Sequence, residues 1–216
     1  MRFFALAICF LFVVESQVYA SLIVPPGTVS LDKKTQTYID VSEVTVLDWV
    51  EYLYWIKNNK GENSDEYKAA MPDSATCEKL YGAVRYFQHP KYRHYPIVGL
   101  THEQALNYCL WRSDRVNELN KNKAKKYTIT YLLPDSYDFQ KAYKKQRKNK
   151  NIDKTIHPIN PKNKRIVNIG YNVQEYTSNS DVILIGTDGE RLIFDDFMGI
   201  SYMLGFRCKA VVVKNK

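Results

Sequence analysis

Three helix starts are written into this chain by capping boxes, and they leave room for only short strands between long connections. Thr45-Val46-Leu47-Asp48 places a hydroxyl cap three residues before an acid, so each side chain can satisfy a free amide of the first turn. Behind it Leu47, Val50, Leu53 and Ile56 recur at helical spacing, and Trp49, Tyr52 and Trp55 widen the apolar face. Thr101-His102-Glu103-Gln104 opens a second helix that runs through Ala105, Leu106, Tyr108, Cys109 and Trp111 to about Leu119. Asp135-Ser136-Tyr137-Asp138 opens a third, preset by Pro134, with Phe139 and Ala142 turned inward. Strand signals are brief and fall at residues 35–39, 127–132, 182–185, 192–194 and 210–213. Residues 57–95, rich in tyrosine, and residues 149–172, rich in basic groups, carry neither period. The expected architecture is α+β, with few short strands, about three helices and long loops, held by something besides its ladders.

The first twenty residues set the expected compartment. A single early charge at Arg2 precedes an apolar run from Phe3 to Val14, and Val18-Tyr19-Ala20 places small residues before Ser21. That is the form of a signal peptide cleaved after Ala20. The run is too short for a membrane span, which needs roughly 18 apolar residues or more. The mature chain would be residues 21–216, one domain, exported to the periplasm, the cell surface or the medium, with no transmembrane span. The net charge is +8, and it is concentrated. From Lys141 to Arg165 ten Lys or Arg face one acid, Asp153, so contact with a polyanion is open there. No aromatic interleaves the run after Tyr143, which removes the stacking platform that nucleic-acid bases use.

Five stretches, in order, resemble one family. "YIDVSEVTVLDWVEYL" (38–53), "YPIVGLTHEQALNYCLW" (95–111), "YLLPDSYDFQKA" (131–142), "NIGYNVQEYT" (168–177) and "LGFRC" (204–208) are similar to motifs of the formylglycine-generating enzymes and sulfatase-modifying factors. The resemblance implies a variant of the C-type lectin fold over nearly the whole mature chain. Active members oxidise a sulfatase cysteine with two cysteines of their own, placed between the last two motifs and able to hold copper. Here the interval from Tyr176 to Phe206 contains no cysteine, and a Cu(I) site needs soft thiolates. Family landmarks have also drifted at Thr101-His102, Leu132 and Tyr171. The chain therefore resembles an inactive branch, similar to gliding-motility-type accessory lipoproteins. The expected function is that of a non-catalytic binding or assembly module of the bacterial envelope, with an unknown protein or glycan partner. The alternative is an enzyme with altered oxidative chemistry, for example a non-haem iron protein using His102 and carboxylates.

Two further expectations come with the resemblance. The family wraps a calcium ion in the segment matching residues 168–175. Asn168 and Glu175 would supply side-chain ligands and Tyr171 and Val173 backbone oxygens, hard donors for a hard cation. A tyrosine at 171, where the family has glycine, strains this if that carbonyl needs a left-handed backbone. The family also pairs the cysteines matching Cys109 and Cys208. Locally, Cys109 shares an apolar helix face and Cys208 enters the apolar stretch 210–213. Cys77 would remain free or pair between chains.

The remaining chemistry reads as structural. His89 and His94 stand five apart in a proline-broken loop, and no Gly-x-Ser-x-Gly elbow or glycine-rich phosphate loop occurs. Asp195 and Asp196, adjacent in an extended segment, point to opposite faces and cannot share a substrate. Tyr67, Tyr81, Tyr86, Tyr92 and Tyr95 gather in one irregular segment, either packed under a loop or forming an interaction surface.

Overall fold

The computed structural model describes residues 23–73, 75, 78, 86–119, 126–146, 155–188, 190–196, 199 and 203–215. The expected leader, Cys77, Tyr81 and residues 147–154 of the basic run lie outside the described residues.

All three capping boxes close as the sequence predicts. Thr45 and Asp48 exchange bonds at the start of α1 (Val46–Lys60). Thr101 and Gln104 do so before α3 (His102–Leu119), and Asp135 and Asp138 before α4 (Ser136–Lys145). A short helix, α2 (Asp65–Ala69), caps itself on Ser64 within the segment read as irregular. Gln104 then ties its end to α3 by donating to the carbonyls of Ala69 and Met71.

The described strands form two sheets of four. The first runs β1 (Thr28–Asp32), β2 (Thr37–Asp40), β8 (Lys209–Lys214), β3 (Tyr127–Leu132), antiparallel throughout. The second runs β6 (Leu192–Asp196), β5 (Val182–Thr187), β4 (Gln174–Tyr176), β7 (Leu204–Gly205), with β4 and β7 parallel. The molecule is α+β, its helices interleaved along the chain with two mostly antiparallel sheets. On β8 Ala210 and Val212 are buried while Val213 is exposed, the alternation of a sheet with one covered face.

Helices α1 and α3 lie over the larger core, where Trp49 stacks on Tyr108 at 5.6 Å between ring centres and both meet Phe206 edge-on. Truncating such a buried ring costs roughly 3–5 kcal/mol. A smaller core gathers Leu31, Ile39, Phe139, Ala142, Ile166, Ile169 and Leu184. There α4 packs on both β1 and β6 and so joins the two sheets. Lys141 and Lys145, the first part of the basic run, fasten α4 to β1 through Asp32 and the carbonyl of Leu31. Tyr86, Tyr92 and Tyr95 form one packed group with ring centres 5.0–6.3 Å apart, and the Tyr86 hydroxyl donates to the carbonyl of Pro96. These three tyrosines are packing residues. Asp195 and Asp196 are both exposed on β6. Among the described residues no helix is long and apolar enough to cross a membrane.

Gly205 shows why glycine stands in the "LGFRC" stretch. A Cβ there would come within 2.9 Å of the Ile97 carbonyl oxygen, so β7 could not lie against the 96–97 segment.

Candidate functional site

The motif stretches converge on a buried group of charges. Arg207 is completely buried, and its guanidinium donates in bidentate fashion to Glu175, at 2.6 and 2.9 Å. It also donates to the carbonyl of Val167 at 3.1 Å and lies 3.7 Å from Glu43. Glu43 receives two carboxamides in turn, from Asn168 at 3.1 Å and Asn172 at 3.0 Å. A second pair lies alongside: Asp40 accepts both terminal nitrogens of Arg112 at 2.7 and 2.9 Å, and the backbone N–H of Cys208 at 2.8 Å. The Arg112 guanidinium covers the Tyr131 ring 4.1 Å from its centre.

Local backbone explains the aim of the two asparagines. Asn168 and Asn172 have φ of 65° and 67°, and Gly170 has φ of 77°. Asparagine tolerates this left-handed region better than other side chains do. The loop thus turns on residues 168, 170 and 172, and Tyr171, where the resemblance raised the question of a missing glycine, is not among the residues with positive φ. Of the four expected calcium ligands, Glu175 has both oxygens turned to Arg207. Asn168 directs its amide nitrogen to Glu43, and the Tyr171 carbonyl accepts the N–H of Val173 at 2.8 Å. A cation on this loop would share Glu175 with a guanidinium.

Two carboxylates and one guanidinium in a dry interior leave a charge imbalance. Burial pushes the Glu43 carboxyl up to about 7, against the pull of Arg207 and with a further push from Glu175. Glu175 is raised as well, by burial, with Arg207 opposing. The extra proton belongs to the pair. A carboxyl raised on folding stabilises the native state fully below its unfolded pKa and loses that contribution as pH rises through the folded value. The window here runs from the ordinary 4.5 to about 7. We expect the protein to lose about 2–3 kcal/mol between pH 5 and 8 from this group, at ~1.4 kcal/mol per pH unit. Urea midpoints across that range check it: Glu43→Gln flattens the profile and equals or exceeds the parent at pH 8. An equally sloped profile in the variant would assign the pH dependence elsewhere.

Cys109 and Cys208 meet beside the ion pairs. Their sulfurs lie 3.2 Å apart, unbonded, and both residues are buried. His102, at the first turn of α3, contacts the Thr177 carbonyl through Nε2 at 2.8 Å and lies edge-on to the Tyr176 ring, so that nitrogen fastens α3 to the end of β4. His89 caps the 3-10 turn Pro90–Tyr92 by accepting the Lys91 N–H. Among the described residues no three His, Cys, Asp or Glu side chains are grouped to hold a metal.

Two clefts border α1 and α3. One of about 500 Å³ lies between α1, α2 and α3. Another, of about 390 Å³, is lined by residues that include Asp40, Glu43, Asp48, His94 and Arg112. Trp111 borders both, and its indole N–H is buried without a hydrogen-bond partner. Sequence reasoning named Trp111 only as part of an apolar face, and it missed Glu43, Asp40 and Arg112.

Comparison with protein-family models, curated proteins and solved structures found no match.

Glu43 and Arg207 each had a signal in the sequence. Arg207 stands between Phe206 and Cys208, and Glu43 precedes Val44, so each is a charge next to residues that belong inside. A charge in such a place must be paired.

Proposed function

We propose that this chain is a non-catalytic binding or assembly module of the bacterial envelope, built on a variant of the C-type lectin fold like that of the formylglycine-generating enzymes. One contrast carries the reading. The charged groups at the centre are engaged with one another, Arg207 with Glu175 and Glu43, and Arg112 with Asp40. The open cleft between α1, α2 and α3 is instead bordered by the aromatic side chains of Tyr52, Trp55 and Trp111. Reactive residues in an enzyme point the other way, toward the cavity where substrate sits. The leader-like first twenty residues and the adjacent buried cysteines support export to an oxidising compartment.

The lack of a cysteine between Tyr176 and Phe206 supports a scaffold kept without its chemistry. Incubated with a sulfatase-motif peptide, oxygen and copper, the protein is expected to leave the peptide's cysteine unconverted beyond the copper-only background, as read by mass. Conversion above background, or stoichiometric iron or copper in the purified protein, would overturn the module reading in favour of an oxidative enzyme. Calcium held by Asn168, Tyr171, Val173 and Glu175 belongs to the same proposal. A melting temperature that falls on chelation and returns with millimolar calcium supports it, and an unchanged one removes it.

A further inference from the structure

We propose that the cleft between α1, α2 and α3 is a binding site for a small organic cation, an alkylammonium. Its wall is a run of tilted rings. Tyr52 and Trp111 have centres 5.0 Å apart with planes at 47°, and Trp55 and Trp111 have centres 6.4 Å apart at 58°. All three side chains line the cleft, and aromatic faces attract cations through their quadrupole. The volume, about 500 Å³, falls within the range of small-molecule sites, roughly 300–1,000 Å³.

Charge selects the occupant. The chain as a whole carries +8, yet the lining of this cleft holds Asp65, Glu66 and Asp114 against Lys60 alone. Lys60 lies 4.0 Å from Glu66, and neither Asp65 nor Asp114 has an ion-pair partner among the described residues. The carboxylates therefore present a local field opposite in sign to the rest of the molecule. A neutral apolar ligand would use the rings and leave this field unanswered; an anion would be repelled.

One ring already behaves this way. The Arg115 guanidinium sits 4.4 Å from the centre of Trp55. Arg115 lines the neighbouring cleft that Trp55 also borders and not this one, so this ring already holds an internal cation.

The assignment rests on reading the chain as a binding module, and the peptide-conversion assay above can fail or pass independently of it. The test is intrinsic fluorescence. Of the three tryptophans Trp49 is fully buried in the core, and the other two border this cleft. Choline and n-butylammonium should change the emission saturably, while 3,3-dimethylbutan-1-ol, the uncharged analogue of choline, should not. Asp65→Asn with Asp114→Asn, both at exposed positions, should leave the melting temperature unchanged and weaken the cations about tenfold. An equal response to the alcohol, a response to glucose alone, no response to any probe, or undiminished binding in the double variant would each overturn the proposal. So would a response to a blocked lysine tripeptide without one to the free cations, which would make the occupant a partner's side chain.

Discussion

Arg207→Met is expected to lower the unfolding free energy by about 3–5 kcal/mol, the usual range for removing one partner of a buried ion pair. The cause is what the change leaves behind. Glu175 would lose both of its donors and Glu43 its nearby positive charge, in surroundings with no solvent access to either side chain. Both carboxyls would then need protons to stay buried, so the loss should be smaller at pH 5 than at pH 8. Urea midpoints at the two pH values measure this. Adding Glu43→Gln and Glu175→Gln to Arg207→Met should recover part of the loss, because replacing a buried ionic group entirely is far milder than halving it. A single variant as stable as the parent at pH 8 would mean that water reaches this group.

The second large effect concerns the two thiols. In protein made under oxidising conditions Cys109 and Cys208 are expected to be joined. The bridge would close a loop of 99 residues and contribute about 4–5 kcal/mol on the chain-entropy model, with any native strain subtracting from it. Against typical domain stabilities of ~5–15 kcal/mol that is a large fraction, and Cys109→Ser should show it. Burial pushes the Cys208 thiol far above its ordinary range, and the thiolate is the attacking species in exchange. The bond should therefore form while the chain is still open, and resist reductant afterwards unless denaturant is added. Non-reducing peptide mapping decides the pairing. A bridge from Cys77 to either partner, or three free thiols in exported protein, would overturn it.

Much of the fold was legible because capping chemistry is local. Thr45 with Asp48, Thr101 with Gln104 and Asp135 with Asp138 each declare a helix start in four residues, and all three open helices where expected. Strand β3 carries six residues of period and was bounded correctly at Tyr127–Leu132. Strands β4 and β7 have three and two residues, too few to show alternation, and are defined by neighbours distant in the chain. Helix α2 has five residues, none of them buried, so it lacks the apolar stripe that reveals helices elsewhere. The site was harder for a related reason. Asp40, Glu43, Arg112 and Arg207 have meaning only as pairs, and their charged partners lie 32 to 164 residues away. The aromatic cleft was half visible: Trp55 and Trp111 were seen as apolar faces, but that their rings border an open cleft depends on how α1 meets α3.

The position of β8 bears on how the chain comes to be folded at all. Residues 209–214 are made after every other strand, yet they occupy an interior place in the first sheet, between β2 and β3. Until they leave the ribosome, β2 and β3 have no partner on that side, and Asp40 lacks the Cys208 amide that it binds. Contacts of such long sequence separation form late and slowly. The first sheet of such a chain cannot close until residues 209–214 are available, whereas every strand of the second sheet precedes them.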